Sequence, residues 1–424
     1  MGKGSMFTSQ DIEPPQYDVL NNSVSGSDLA RSVSDGHPAS DIELQLVTDR
    51  AGFEALESEW NSLFDRAGQS HQLFQSYNWN WHWCQTYLND ETKQKFLELS
   101  IVVGHAEGRV VMIWPLISDR TMCLKYICWM GMPVSQYSDV LIEDGLNRMA
   151  WLDEGWRFIR TQLGADTICL PKVREDSVLA GLMRSLGQQP VQNAEALHAD
   201  LSAAGNYEAY AARFSARRNK NRRRQHRRLS ELGSVSFDVL TEDKAACAAV
   251  KQALKMKRCW LLDKGLMSKA FSDERIDNFF AGMLTSPDKS TGCQVSVMNV
   301  GAETAAVVIS FVCKGRHAAH ISSYSHDPQF IRSGAGALLM DEVVRGCFEK
   351  GLDNFDLMAP GDSYKREWAD QSVKVCDYTA PLTPLGQAHA AYGACAYTAK
   401  AIFETAPQRL RRVLISLAGP WNKP

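Results

Sequence analysis

The sequence predicts an α/β fold, a mixed sheet with helices, laid down twice along the chain as two tandem lobes. Three observations carry this reading. At 424 residues the chain exceeds what one hydrophobic core organises. Two distant stretches share one order of elements: strand, turn, strand, further strand, helix, strand. Each helix also ends in the same way, at Gly164-Ala165-Asp166-Thr167-Ile168-Cys169-Leu170 and at Gly351-Leu352-Asp353-Asn354-Phe355-Asp356-Leu357, a helix stop that feeds a buried strand.

Residues 1–40 lack periodicity, carry few large apolar groups and are expected to be disordered. The first lobe, 41–205, has strand patterns at Leu99–Val103 and Arg109–Leu116 about a turn at His105–Gly108. An apolar run at Tyr126–Met130 and an amphipathic helix at Met149–Leu163 follow. Segment 206–233 reads as one linking helix, Tyr207–Leu232, with Asn206 as N-cap and Gly233 as its stop.

The second lobe, 234–382, repeats the order with strands at Gln294–Val300, Thr304–Cys313 and His317–Tyr324 and a helix at Gly336–Lys350. In that helix Leu339, Val343 and Cys347, flanked by Met340, Val344 and Phe348, form the apolar face. Asp341, Glu342, Arg345 and Glu349 are assigned to the opposite face. Residues 383–424 read as a less regular tail that ends in a basic amphipathic stretch, Gln408–Leu417.

Hydrophobic content of 45% and charged content of 22% suit a soluble globular protein, and a net charge of −3 names no partner. Eleven cysteines occur without any Cys-x-x-Cys. That count and the apolar settings of Cys169, Cys313 and Cys347 point to buried, reduced thiols and a cytoplasmic location. No signal-type apolar core opens the chain, and no apolar run is long enough to span a bilayer. No His, Asp, Glu or Cys grouping suggests a metal, and no Ser–His–Asp or Cys–His spacing suggests a nucleophile. Trp79, Trp81, His82 and Trp83 read as aromatic packing, and His320 and His326 as satisfied polar residues.

The glycine turn ahead of the second lobe's helix runs Arg332-Ser333-Gly334-Ala335-Gly336-Ala337. A helix N-terminus gathers unpaired N–H groups and the positive end of the dipole, which suits a pyrophosphate; Arg332 adds a charge. One strand later, Ala359-Pro360-Gly361 turns the chain and presents Asp362, Tyr364, Lys365 and Trp368. A third feature is the basic run Arg213, Arg217, Arg218, Lys220, Arg222, Arg223, Arg224, Arg227 and Arg228, whose self-repulsion calls for something acidic nearby.

Three stretches carry a family resemblance: Ser215-Ala216-Arg217-Arg218-Asn219-Lys220-Asn221-Arg222-Arg223-Arg224, Gly334-Ala335-Gly336-Ala337-Leu338-Leu339, and Phe355-Asp356-Leu357-Met358-Ala359-Pro360-Gly361-Asp362-Ser363-Tyr364-Lys365-Arg366-Glu367-Trp368. In these the chain resembles the GNAT superfamily of acyl-CoA N-acyltransferases. More narrowly it resembles the bacterial acetyltransferases associated with cellulose biosynthesis, relatives of the FemABX peptidoglycan transferases. The usual motif has Gln or Arg three residues before the first glycine, where this chain has Ile331.

The resemblance implies two GNAT-like lobes and acyl-CoA, acetyl-CoA in the first instance, as co-substrate in the second, with no metal. The turn Arg332–Ala337 would hold the nucleotide. For acyl transfer, Asp362 would take a proton from the acceptor amine, with Asp356 a lesser candidate. Tyr364 would protonate the leaving thiolate, and Lys365 would stabilise negative charge. Tyr324, Trp368, Arg217 and Arg218 would meet substrate, the arginines through a CoA phosphate or an acidic acceptor. The acceptor would be a small molecule or an envelope precursor.

Two other readings stay open: an inert GNAT-like module that binds RNA or another polyanion through residues 213–228, and an aminoacyl-tRNA-dependent transferase. The tail, with Arg409, Arg411 and Arg412 beside Leu410, Val413 and Leu417, suits either a docked terminal helix or contact with an anionic membrane surface.

Overall fold

The computed structural model describes residues 41–88, 97–121, 123–241, 244–288 and 291–417, so the disorder expected for 1–40 falls outside the described residues. The first lobe supplies β1 (Glu43–Val47), β2 (Glu98–Leu99), β3 (Ile101–Ala106), β4 (Arg109–Trp114), β5 (Leu116–Thr121), β6 (Leu124–Trp129), β7 (Leu141–Ile142), β8 (Thr167–Arg174) and β9 (Gln192–Asp200). The second supplies β10 (Val235–Leu240), β11 (Gln294–Val300), β12 (Glu303–Cys313), β13 (Arg316–Tyr324), β14 (Asn354–Met358) and β15 (Gln371–Pro381). The fold is mixed α/β with two lobes.

Most of these strands form one sheet in the order β10-β11-β12-β13-β14-β9-β15-β8-β6-β5-β2, while β1-β3-β4-β7 form a small second sheet. Each lobe runs an antiparallel meander, crosses over by a helix and returns parallel. In the first lobe β6 meets β8 in parallel after the helix Arg148–Gln162; in the second β13 meets β14 in parallel after the helix Ala335–Glu349. A parallel return needs such a crossover, and its right-handed form buries the helix's apolar face on the sheet.

The last strand of each lobe then goes to the other. β9 pairs with β14, from Asn354↔Asp200 to Met358↔Leu197, and β15 pairs with β8, from Val375↔Arg174 to Pro381↔Thr167. The exchanged strands pair with each other from Gln371↔His198 to Asp377↔Gln192. Chain order and sheet order therefore interleave at the centre.

The aromatic segment of the first lobe packs across the same boundary. Trp79, fully buried in the helix Tyr77–Trp83, lies 4.9 Å from Phe279, 5.2 Å from Phe311 and 5.7 Å from His320, ring centre to ring centre. Its indole N–H donates to Ser135. Packing is the role of this segment, as its sequence suggested.

Three expectations change. The linking helix divides into Tyr207–Ala212 and Ala216–Ser230, because Ser215 in extended conformation accepts from the Arg218 N–H and opens a second helix. The tail contains a regular helix, Pro384–Thr405, started by Pro384 and by the Thr383 side chain, which accepts from the Gly386 N–H. Asp341 lies buried rather than on a water-facing surface.

Candidate active site

β13 and β14 pair only at Arg316↔Asn354, His317↔Phe355 and Ala318↔Asp356. Beyond these, β13 continues along β12 to Tyr324, while β14 bulges between Asp356 and Met358 toward β9. Met358 takes a left-handed φ of 60° at that bulge. Two parallel strands that part leave backbone and side chains of both facing one wedge.

Asp356 lies at the apex, fully buried. Its carboxylate accepts from Tyr137 Oη at 2.8 Å, from the Met358 N–H at 2.8 Å and from Arg316 Nη1 at 3.0 Å. Its oxygens hold the apex together; the alternation along its strand gave no sign of these partners.

Tyr324, at the end of β13, forms one rim. The indole of Trp260 donates to its hydroxyl, its ring stacks at 6.3 Å on His326, and a Cβ added at Gly336 would stand 3.4 Å from it. His326 bonds the Met256 carbonyl at 3.2 Å, as a satisfied polar residue does; His320 bonds the Val134 carbonyl at 2.9 Å through Nε2, while its Nδ1 is buried without a partner.

The opposite rim is the turn Asp362–Lys365. Tyr364 is 48% exposed; partial desolvation, then the carboxylate of Asp362 and then Tyr324, raise its phenol above the ordinary range. Lys365 is buried, and its ammonium donates to the Pro360 carbonyl at 2.7 Å and the Met358 carbonyl at 3.2 Å, with Asp362 at 4.0 Å. Burial pulls Lys365 down to about 8, opposed by Asp362.

Lys257 completes the group. It sits 4.4 Å over the Trp260 ring; burial lowers its pKa, and Asp362 counters. Asp362 is thus the carboxylate that two desolvated lysines face. Lys257 and Trp260 belong to the helix Lys244–Lys264, where no motif marks them. The one available signal was an indole set among Lys255, Lys257 and Arg258.

The glycine turn differs from the expected strand–turn–helix. A short helix, Pro328–Ser333, precedes Gly334, whose φ of 66° both ends it and starts Ala335–Glu349. The left-handed φ is what demands glycine at 334, and a Cβ there would also meet the side-chain amide of Gln225 from the basic helix. Ser333 is buried and donates to the Gln329 carbonyl. Ala335 is buried, and Gly336 and Ala337 are half-buried. The first amides of the helix and the exposed Arg332, whose Nε alone is tied to the Pro328 carbonyl at 3.1 Å, are what the turn offers a phosphate. That donor set fits a pyrophosphate.

Two predicted substrate contacts are committed elsewhere. Trp368 is 2% exposed and donates to Asp341 Oδ1 at 2.7 Å. Arg218 bonds Asp341 Oδ1 at 2.7 Å and Glu367 Oε1 at 2.6 Å, while Arg222 bonds Asp341 Oδ2 at 2.9 Å. Internal carboxylates neutralise this inward face of the helix, so Trp368 and Arg218 brace the fold. Arg217, Lys220, Arg223, Arg224, Arg227 and Arg228 remain on the exposed face.

Residues 215–366 match the model of the acetyltransferase (GNAT) domain. No sequence among the curated proteins matches the chain. Among solved structures the chain is similar to FemX, with a TM-score of 0.54 at 10% identity over 81% of this chain and 99% of that one. It is more loosely similar to a tandem GNAT protein from the clavulanic acid biosynthesis pathway (TM-score 0.46, 13% identity, 81% and 99% covered). A comparable likeness holds for L-PGS from Bacillus licheniformis (TM-score 0.44, 11% identity, 78% and 92% covered). The acetyltransferase (GNAT) domain match thus falls on the segment that holds the parted strands, and the fold across both lobes is similar to that of FemX.

Proposed function

We propose that the protein is an acyltransferase that moves an acetyl or longer acyl group from acyl-CoA to an amine or hydroxyl of a small molecule or envelope precursor. The observation that carries this is the wedge between β13 and β14, with a helix N-terminus on one rim and Asp362, Tyr364 and Lys257 on the other. In this reading the amides of Ala335 and Gly336, together with Arg332, hold the nucleotide phosphates, the Ala337 N–H being taken by the Gly334 carbonyl at 3.1 Å, and acyl-CoA supplies the thioester.

Asp362 takes the proton that the acceptor sheds as it attacks the thioester carbon. Tyr364, kept protonated by its raised pKa, donates to the departing thiolate. Tyr324, fixed by Trp260, walls the acyl side of the wedge. Lys365 pins the turn carbonyls, so it positions Asp362 and Tyr364 and does not meet substrate. Thiol release from acetyl-CoA in fractions of a metabolite extract tests this reading. A fraction that drives release in the parent and not in Tyr364→Phe supports it, and silence across all fractions and acyl lengths counts against it.

A second reading, an RNA- or polyanion-binding module, is favoured by the six exposed cations of the basic helix. Salt-sensitive RNA retention that vanishes in Arg223→Gln/Arg224→Gln, without acyl-CoA binding, would select it. An aminoacyl-tRNA-dependent transferase differs in its donor and is told apart by donor exchange.

A further inference from the structure

The helix Pro384–Thr405 is 22 residues long, about 33 Å at the helical rise, yet Gly386 is its one buried residue. It carries a single cation, Lys400, and a single carboxylate, Glu404, and these pair at 3.8 Å. Tyr392 is 72% exposed and Ile402 66%. A helix with so few charges and so little burial in its own fold presents its apolar residues to something else.

The next helix, Gln408–Leu417, supplies the complementary character. Its inward side holds Ile415, and Gly265 and Asp263 of the neighbouring segment pack against Arg411, Gln408 and Arg412. Arg409, Leu410 and Leu414 are exposed. Over 384–417 four cations, Lys400, Arg409, Arg411 and Arg412, stand against one carboxylate, Glu404; Lys400 pairs with Glu404 and Arg412 with Asp263, which leaves the exposed Arg409 and the half-buried Arg411 as the excess.

We propose that this pair of helices docks the protein on an anionic lipid bilayer. Tyr392, Ile402, Leu410 and Leu414 would enter the headgroup boundary, with Arg409 among the phosphates. Charge complementarity selects this occupant: apolar residues interspersed with cations match a negatively charged interface, and tyrosine rings suit its amphipathic depth. A second copy meeting this face about a two-fold axis would bring Arg409 and Arg411, the two cations without an internal carboxylate, toward their own copies. Among the described residues no helix is long and apolar enough to cross a membrane, so the contact is with the surface.

The inference is independent of acyl transfer, and its test does not read activity. The full chain is floated with phosphatidylcholine vesicles, with and without phosphatidylglycerol, at low and high salt. The proposal expects binding to phosphatidylglycerol vesicles that salt weakens, little binding to pure phosphatidylcholine, and loss of binding in Ile402→Asp/Leu410→Asp. Both positions are on the surface, so the melting temperature of that variant should match the parent. Arg409→Glu should weaken binding about fivefold or more. Absence of binding, equal binding to neutral vesicles, or undiminished binding by the double variant overturns the proposal. So does a stable dimer that Ile402→Asp dissociates, which would assign the face to a second copy.

Discussion

Trp368 donates its indole N–H to Asp341 at 2.7 Å, and through that bond the end of the Phe355–Trp368 stretch is tied to the helix behind the glycine turn. The same carboxylate takes Arg218 and Arg222 from the basic helix. The three stretches that most resemble GNAT relatives thus converge on one buried anion.

Asp341→Ala should destabilise the protein by about 3 kcal/mol, because it leaves two largely buried guanidiniums to share the single carboxylate of Glu367. Urea unfolding of parent and variant measures this. A loss below about 1 kcal/mol would show the cluster to be no better than a surface ion pair.

Gly334→Ala should cost about 1–2 kcal/mol from its left-handed φ, and more from the collision with Gln225. Adding Gln225→Ala should return the steric share and leave the backbone share. If the second substitution restores nothing, the glycine is not held by that contact. The pair also separates folding from ligand binding, which a large side chain at 334 would confound.

Stability should fall on acidification, and His317 is the clearest contributor. It is 2% exposed, and burial, with Lys350 secondary, lowers it from 6.5 to about 3. Between those values the unfolded chain binds a proton that the folded one refuses, so folding weakens as pH falls through the window. The slope for this histidine is about 1.4 kcal/mol per pH unit. His317→Leu should flatten the curve of unfolding free energy against pH by about that amount; parallel curves would contradict the assignment.

Asp362→Asn should lower turnover by about 10²- to 10⁴-fold while leaving acyl-CoA affinity near the parent's, since the carboxylate is assigned to proton transfer and not to phosphate. Stopped thiol-release assays beside binding titrations separate the two. Equal losses in both would move Asp362 into the binding site.

Local pattern carried much of the fold. Gln294–Val300 is β11, and the helix expected at Gly336–Lys350 runs Ala335–Glu349, because alternation and helical spacing are written in neighbouring residues. The repeated Gly-x-Asp leads in each half into the strand that returns parallel, β8 and β14. What depends on distant partners was not legible. The exchange of β9 and β15 is decided by pairing between lobes, and Asp341 on its water-side position is buried only because Arg218, Arg222 and Trp368 come to it from other segments. Lys257 and Trp260 reach the wedge by the packing of a helix whose own sequence is unremarked.

The central claim is that the wedge beside Tyr324 and Asp362 receives an acyl-CoA. Isothermal titration of the purified chain with acetyl-CoA and longer acyl-CoAs measures it. The account predicts saturable binding to at least one of them, weakened at least about fivefold by Arg332→Glu through loss of a phosphate contact. No binding at any acyl length, or binding indifferent to Arg332→Glu, would contradict it.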